Sequence, residues 1–206
     1  MLVKKPDRPK LWIVAGPNGS GKSTIYTGSS IKDFGGSVWI INPDLLAARI
    51  KSVESKSLRT ANLEAVKRIY VWLEASIAAH QTVGVETVLS TDKYRRLVLA
   101  AKAARFEVRL IYVLLKSAEM NVERVRMRVA DGGHRVPKMK ILERRERSLQ
   151  QLPWFLEQAD GAWLYDNSGI KPRLIGTKIN GKIDIDPAAM PEIKMVAEQI
   201  MTNSKR

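Results

Sequence analysis

The sequence predicts an α/β fold: a parallel sheet of about five strands with helices on both faces and a basic lid. Three observations support this prediction. Strand patterns alternate with helix patterns, a glycine-rich loop follows the first strand, and basic residues are concentrated after the fourth strand. Strands separated by helices are typical of a parallel sheet that is covered on both sides. We expect residues 1–206 to form a single domain, with the lid at about 118–147.

Composition excludes several classes of protein. There are no cysteines and two histidines among 206 residues, so disulfides and thiolate metal sites are excluded and a histidine metal site is disfavoured. No apolar run reaches the roughly 18 residues that a membrane span needs. We therefore expect a cytoplasmic protein without a membrane partner.

The first half of the chain alternates between short apolar runs and amphipathic segments. Apolar runs bounded by turn residues are typical of buried strands, and apolar residues three or four positions apart are typical of helices. These patterns predict strands at 11–15, 37–41 and 83–89, and helices at 45–50 and 60–79.

The second half continues the same alternation and adds a hairpin. A helix start is predicted at Pro137, because proline is favoured in the first turn, and a hairpin is predicted around Asn180-Gly181. Strands are expected at 107–115 and 161–165, the hairpin at 173–185, and helices at 93–105, 118–130, 137–151 and 191–201.

The glycine-rich loop after the first strand fits the pattern G-x-x-x-x-G-K-[ST] in full. Its glycines allow unusual backbone angles and a close approach of anions, and its N–H groups and the following helix face the phosphates. Lys22 would contact the β and γ phosphates, and Ser23 would hold Mg²⁺. The alternative is a structural glycine turn. The predicted nucleotide-binding residues are Gly16, Pro17, Asn18, Gly19, Ser20, Gly21, Lys22, Ser23 and Thr24, and the cofactors are ATP, with GTP left open, and Mg²⁺.

Two carboxylates lie at predicted strand ends, where a parallel sheet presents its ligand-binding residues. Asp44 follows the second strand and Glu86 lies near the end of the third. Phosphoryl transfer needs a group that orients the attacking hydroxyl and usually a carboxylate near the metal. The alternatives are that Asp44 is a helix N-cap and that Glu86 is an outward-facing strand residue.

The basic segment that follows the fourth strand is the candidate lid. Arg124 and Arg128 share one helical face, and Arg135 follows a Gly-Gly-His turn. Lid arginines of this kind close over the phosphates and neutralise developing charge. Arg126, Arg145 and Arg147 are expected to be solvated. His134 is a hinge, a substrate contact or a turn-stabilising residue, His80 a surface residue, and Trp154-Phe155 part of the core.

Net charge leaves a second class of partner open. The chain carries 35 Lys or Arg and 21 Asp or Glu, a formal charge of +14. Residues 93–149 hold 16 Lys or Arg against 6 Asp or Glu, a net charge of +10. Such a segment suits nucleotide phosphates, a phosphorylated substrate or RNA, although solvated helix faces would look the same.

Taken together, five segments resemble the zeta-toxin family of P-loop kinases. They are the phosphate loop, Asn42-Pro43-Asp44, Val85-Glu86-Thr87, residues 121–137 with their Gly-Gly-His-x-Val-Pro turn, and residues 164–169. The likeness covers residues 11–177, and the later segments are more specific than the phosphate loop.

The resemblance implies a P-loop NTPase fold of the nucleoside-kinase type and a kinase that acts on UDP-N-acetylglucosamine. Zeta toxins phosphorylate this sugar nucleotide on the 3′-hydroxyl of its sugar, and an antitoxin holds the toxin in check. By position, Asp44 resembles the catalytic base, and Lys22 is the phosphate-binding lysine. Glu86 and Thr87 resemble residues of the sugar-nucleotide pocket. The lid arginines correspond to Arg124 or Arg128, with Arg135.

Three functions remain open from the sequence. The first is a small-molecule kinase of the zeta type. The second is a kinase or binding protein that acts on nucleic acid, and the third is a regulatory ATP-binding protein without transfer activity. A housekeeping kinase of a small molecule is a variant of the first.

Overall fold

The computed structural model describes residues 7–28, 38–133 and 135–203. Two sequence predictions fall partly or wholly on other residues: the start of the second strand at Ser37 and the role of His134. They lie outside the described part of the chain. Among the described helices, none combines the length and the apolar character that crossing a membrane requires.

The predicted parallel sheet is confirmed, and the hairpin extends it. Strands β1 to β5 run parallel, in the order β2-β3-β1-β4-β5. The antiparallel β6-β7 hairpin continues the same sheet, so the described residues form seven strands rather than five. Asn180 and Gly181 form the hairpin turn with φ of 51° and 78°. The strands are β1 Lys10–Ala15, β2 Ile40–Ile41, β3 Val83–Thr87, β4 Glu107–Leu114, β5 Gly161–Asp166, β6 Arg173–Ile179 and β7 Lys182–Ile185.

Helices separate the parallel strands, as predicted. Side-chain caps begin several of them: Ser57 accepts from the N–H of Thr60, and Ser117 accepts from that of Met120. The helices are α1 Lys22–Gly28, α2 Pro43–Val53, α3 Leu58–Ala78, α4 Arg95–Ala103, α5 Ala118–Ala130, α6 Lys138–Gln158 and α7 Pro191–Asn203.

Helix α6 extends seven residues beyond its predicted end at residue 151. Pro153 lies inside the helix, where the ring removes one hydrogen bond and usually breaks the helix. Leu152, Phe155 and Leu156 bury their side chains in the core on either side of it. We attribute the continuation to this apolar burial, which outweighs the local cost of proline. Trp154 packs edge-on against Phe155, so this pair belongs to the core as predicted.

The sheet is buried on both faces because its strands alternate between two apolar clusters. In β1, Leu11 and Ile13 face the larger cluster, which includes residues of α3, α4, α6 and α7. Trp12 and Val14 face the other side, where they pack with Ile25 of α1. Parallel pairing then places the ends of β1 and β3 together, with Ala15 opposite Thr87. This edge of the sheet carries the candidate site.

Candidate functional site

The glycine-rich loop turns back from β1 to α1 in a conformation that its glycines permit. Gly16, Gly19 and Gly21 have φ of 142°, 74° and 85°. A Cβ on Gly16 would collide with the carbonyl oxygen of Val113 on the neighbouring strand. A side chain is therefore excluded at Gly16 by space as well as by backbone angle.

Lys22 is buried and curls back over the loop. Its Nζ donates to the carbonyl oxygens of Gly16 at 2.9 Å and Pro17 at 3.2 Å, and it lies 3.8 Å from Oε1 of Glu86. Burial lowers the pKa of Lys22, the carboxylates of Glu86 and Asp44 oppose that shift, and the Arg128 guanidinium adds to it. Lys22 is thus a desolvated cation beside a second cation, in an environment that favours an added anion.

Glu86 is the polar centre of this edge of the sheet. Its Oε2 accepts from the hydroxyl of Ser23 at 3.2 Å, the hydroxyl of Tyr26 at 3.0 Å and Nδ2 of Asn42 at 3.0 Å. Burial and the neighbouring Glu86 carboxylate raise the pKa of Tyr26 to about 12, so the phenol stays a donor. The alternative that Glu86 faces outward from the strand is wrong, because the residue is buried among these donors.

Asp44 is exposed in the first turn of α2, and the N-cap of that helix is Asn42. Oδ1 of Asn42 accepts from the N–H groups of Asp44 at 2.8 Å and Leu45 at 3.3 Å. The alternative that Asp44 caps the helix is therefore wrong. Its carboxylate lies near enough to Lys22 and Lys93 to favour their protonated forms, which partly opposes the lowering of the pKa that burial causes in each.

Helix α5 packs directly on the glycine-rich loop. Nδ2 of Asn121 donates to the carbonyl oxygen of Asn18 at 2.8 Å. Arg124 donates from Nη2 to the carbonyl oxygen of Asn167 at 2.8 Å, and Nδ2 of Asn167 donates to that of Ser20 at 2.9 Å. The structure therefore brings Arg124 to the loop, one helical turn from Arg128, whose charge acts on Lys22.

Three further arginines of the basic segment are exposed and differ in their neighbours. Arg126 and Arg147 are exposed and paired with Glu123 and Glu143 within their own helices, as expected for solvated arginines. Arg135 is exposed before α6, on the rim of a small cavity of about 210 Å³ that also borders Val122, Arg126 and Ile141.

The prediction that Arg145 is solvated is wrong. Its side chain is 7 % exposed, and Nη2 donates to the carbonyl oxygen of Leu115 at 3.1 Å and to Glu192 at 3.0 Å. Arg145 faces inward because α7 packs against α6 and supplies the carboxylate. The sequence pattern of α6 alone does not indicate that Glu192 of α7 is the partner of Arg145.

Two cations that the sequence did not assign to the site lie beside it. Nη1 of Arg144 lies 3.4 Å from Oδ1 of Asn18, and Nζ of Lys93 lies 4.8 Å from the centre of the Tyr94 ring. The pKa of Lys93 is lowered, first because the surrounding protein desolvates the ammonium and then because Arg144 is close, while Asp44 opposes both. Arg144 thus contacts the glycine-rich loop, and Lys93 lies within electrostatic range of Arg144 and Asp44.

The other predicted residues are at the same edge of the sheet. Thr24 is exposed in the first turn of α1, whereas Thr87 is buried at the end of β3. Oγ1 of Thr87 accepts from the N–H of Leu89 at 3.1 Å, in a turn where Leu89 has a φ of 59°. This turn ends β3 two residues before its predicted end.

Sequence analysis missed four amide and phenol residues that connect the site. Tyr26, Asn42, Asn121 and Asn167 each bond across elements, and each lies within or beside a segment that had been singled out. The signal for Asn42 was its position immediately before Pro43 at a helix start. For the other three, the sequence carries no signal apart from closeness to a motif.

Oxygen atoms at the site suit a hydrated Mg²⁺. The Ser23 hydroxyl and the Glu86 carboxylate lie side by side, and Mg²⁺ is usually held by one or two protein oxygens together with phosphates and water. Across the part of the chain that the structure describes, no cluster of three or more His, Cys, Asp or Glu side chains forms a self-contained metal site. The donor set fits a metal that arrives with a nucleotide.

Comparison with known sequences gives one family and a bacterial relative. The model of the family described as AAA domain matches residues 11–152. A Haemophilus influenzae protein described as uncharacterized is 29% identical over 136 residues, which is 62% of this chain and 91% of that protein.

Comparison with solved structures concerns the fold. The AvrRxo1-ORF1:AvrRxo1-ORF2 crystal structure with sulphate ions matches with a TM-score of 0.70 and 17% identity over 95% of this chain, which spans 64% of the matched chain. The same pair of proteins has been solved with ATP. A structure of the PezAT chromosomal toxin-antitoxin system of Streptococcus pneumoniae matches with a TM-score of 0.57 and 18% identity, over 82% of this chain and 72% of that one.

Proposed function

This chain belongs to the AAA domain family, and from that premise we propose that it is an ATP- and Mg²⁺-dependent phosphotransferase. In this proposal the γ-phosphate passes to a hydroxyl of a sugar nucleotide such as UDP-N-acetylglucosamine, as in the zeta toxins that the sequence resembles. Residues 1–206 form the single kinase domain, and residues 118–147 its lid.

One observation carries the proposal: the buried Lys22 and the exposed Asp44 lie within electrostatic range of each other, and Glu86 and Asn42 connect them. A transferase needs a cation on the phosphates and a carboxylate on the acceptor at adjacent positions. A pure nucleotide switch does not require an exposed carboxylate at this place. This relationship therefore favours transfer over binding alone.

Each side chain has a distinct part in the proposed reaction. The N–H groups from Gly16 to Thr24 bind the phosphates, and Lys22 leaves its carbonyl partners to bind the β and γ oxygens. Arg124 and Arg128 neutralise the charge that develops on the transferred group. Asp44 accepts the proton of the attacking hydroxyl. Arg135 completes the lid if the lid closes over the nucleotide.

Mg²⁺ would bind beside the hydroxyl of Ser23, where it would offset phosphate charge. Glu86 accepts from that hydroxyl, so it orients Ser23 and supplies a carboxylate for the hydration shell of the metal. With Thr87, Glu86 also borders the proposed acceptor pocket. The basic pair Lys93 and Arg144 supports an acceptor that carries phosphate groups, as a sugar nucleotide does.

A protein partner is also part of the proposal. The PezAT structure is that of a toxin-antitoxin system, and this chain shares its fold. We infer that an antitoxin restrains this chain as well. If so, expression of the chain alone should slow bacterial growth, and Asp44→Asn should relieve the effect. Harmless expression of an active enzyme would instead favour a housekeeping kinase.

The decisive experiment identifies the product. The protein is incubated with labelled ATP and Mg²⁺ and with separate panels of sugar nucleotides, nucleosides and RNA, and products are detected by mass. A sugar nucleotide heavier by one phosphoryl group supports the proposal. ATP affinity without a phosphorylated product from any acceptor would favour a regulatory ATP-binding protein.

The second candidate function is action on nucleic acid, and the net charge of +10 over residues 93–149 favours it. Binding to RNA or DNA should weaken with salt by roughly 0.7–0.9 log unit per log unit of salt for each phosphate contacted. Affinity no better than millimolar at physiological salt would exclude this candidate.

A further inference from the structure

One side chain joins the two halves of the candidate site. Asn42 lies between β2 and α2, and the two ends of its amide contact different parts of the site. Oδ1 accepts from the N–H of Asp44 at 2.8 Å, while Nδ2 donates to Oε2 of Glu86 at 3.0 Å. Because an amide carries an acceptor and a donor on one planar group, it holds these two contacts at a fixed separation.

On one side, Asn42 reaches the nucleotide-binding residues through Glu86. The same carboxylate accepts from Ser23 at 3.2 Å and from Tyr26 at 3.0 Å, and it lies 3.8 Å from Nζ of Lys22. Ser23 and Lys22 are the groups that a phosphate loop offers to Mg²⁺ and to the phosphates. Binding of a nucleotide would therefore change the surroundings of the Glu86 carboxylate, because Lys22 would move to the phosphates and Mg²⁺ would arrive beside Ser23.

On the other side, Asn42 fixes the first turn of α2, which carries Asp44. The middle of that helix packs on α3 through a small apolar cluster of its own, formed by Ala47, Ile50, Ala61 and Ala65. Leu46 of the same helix packs against both this cluster and the main core of the sheet. The amide of Asn42 makes a direct polar link between the start of α2 and the end of β3.

We propose that Asn42 is a positioning residue that couples occupancy of the nucleotide site to the position of Asp44. When Lys22 turns toward the phosphates and Mg²⁺ binds beside Ser23, the Glu86 carboxylate loses the nearby Lys22 ammonium and gains the hydrated metal as a neighbour, and Asn42 transmits its adjustment to the cap of α2. Such coupling is reciprocal, so the position of Asp44 also affects nucleotide affinity. This inference rests on the proposed function, because it assumes that the chain binds a nucleotide. It adds a way in which Asp44, the proposed base, is aligned only when the nucleotide phosphates are bound.

Two substitutions distinguish the contact of Asn42 with Glu86 from its role as the N-cap of α2. Asn42→Ser keeps an oxygen that caps a helix about as well as asparagine, but it lacks the amide donor that reaches Glu86. Asn42→Ala loses both. A residue that is only a cap would be affected by alanine and not by serine, whereas a bridging residue is affected by both.

The experiment is hydrogen–deuterium exchange of the full chain with and without Mg·ADP. Two segments are followed: residues 16–24, which report nucleotide binding, and residues 42–47, which report the start of α2. In the unaltered protein, Mg·ADP should protect residues 16–24 and change the exchange rate of the Asp44 and Leu45 amides by about fivefold or more. In Asn42→Ser, protection of 16–24 should persist and the response of Asp44 and Leu45 should be lost.

Two results would overturn the inference. One is a full response of the Asp44 and Leu45 amides in Asn42→Ser, and the other is no response in the unaltered protein although residues 16–24 are protected. Either result would be compatible with nucleotide binding and would contradict only the coupling between nucleotide occupancy and the position of Asp44. Absence of Mg·ADP protection at 16–24 in the unaltered protein would instead remove the proposed function, and this inference with it.

Discussion

The hydroxyl of Ser23 lies 3.2 Å from Oε2 of Glu86, although 63 residues separate them in the chain. This contact joins the start of α1 to the end of β3. The two ends of the site, the glycine-rich loop and the cap of α2, thus share one carboxylate.

Replacing Lys22 with alanine should lower ATP-dependent transfer by about 10²-fold or more, because the transferred phosphate loses a buried cation aimed at its developing charge. The measurement is the rate of product formation from labelled ATP. Arg147→Ala is the control, since this arginine is exposed and pairs with Glu143 on its own helix. Undiminished transfer by Lys22→Ala would remove the kinase proposal.

Asp44→Asn should leave ADP affinity within about twofold and lower transfer by roughly 10²-fold, because an amide does not accept the proton of the acceptor hydroxyl. Helix α2 should be unaffected, since its cap is Asn42. Calorimetric titration with Mg·ADP measures the first quantity and labelled ATP the second. Asp131→Asn, at the exposed end of α5, is the control. If Asp44→Asn transfers at the normal rate, Asp44 is not the base.

Arg124→Ala should slow transfer by about 10²-fold, whereas Arg126→Ala should change it by less than about twofold. Arg124 contacts Asn167 beside the loop, while Arg126 pairs with Glu123 on the exposed face of the same helix. Each variant removes one positive charge from the same helix, so the comparison tests whether the effect depends on the face of the helix that carries the arginine. Equal losses in both variants would indicate a general effect of charge rather than a lid contact.

Arg145→Ala should reduce the free energy of unfolding by about 2 kcal/mol, because it leaves the buried carbonyl oxygen of Leu115 without its charged donor. Denaturant unfolding, followed by circular dichroism, measures this change. The neighbouring Arg147→Ala should stay within about 0.5 kcal/mol of the unaltered protein, as exposed substitutions usually do. An Arg145→Ala protein as stable as Arg147→Ala would contradict the inward position of this side chain.

The fold and the phosphate loop could be predicted because their determinants are local. Five parallel strands appear as apolar runs, and the loop from Gly16 to Ser23 combines glycines, lysine and serine at fixed spacing. Two of the predicted ends were wrong, one because of packing against distant residues and one because of a local turn. Helix α6 continues through Pro153 because its flanking side chains fill the core, and β3 stops early at the turn that Thr87 and Leu89 form.

By itself, the sequence determined the order of strands and helices, the presence of a phosphate-binding loop and the concentration of positive charge, since each depends on neighbouring residues and on spacing. Only the tertiary structure decided that Asn42 bonds Glu86, that Arg124 reaches the loop while Arg126 does not, and that Arg145 is buried against α7. The physical reason is distance along the chain. Hydrogen bonds between residues more than forty positions apart depend on how strands align and helices pack, and no local pattern encodes their partners.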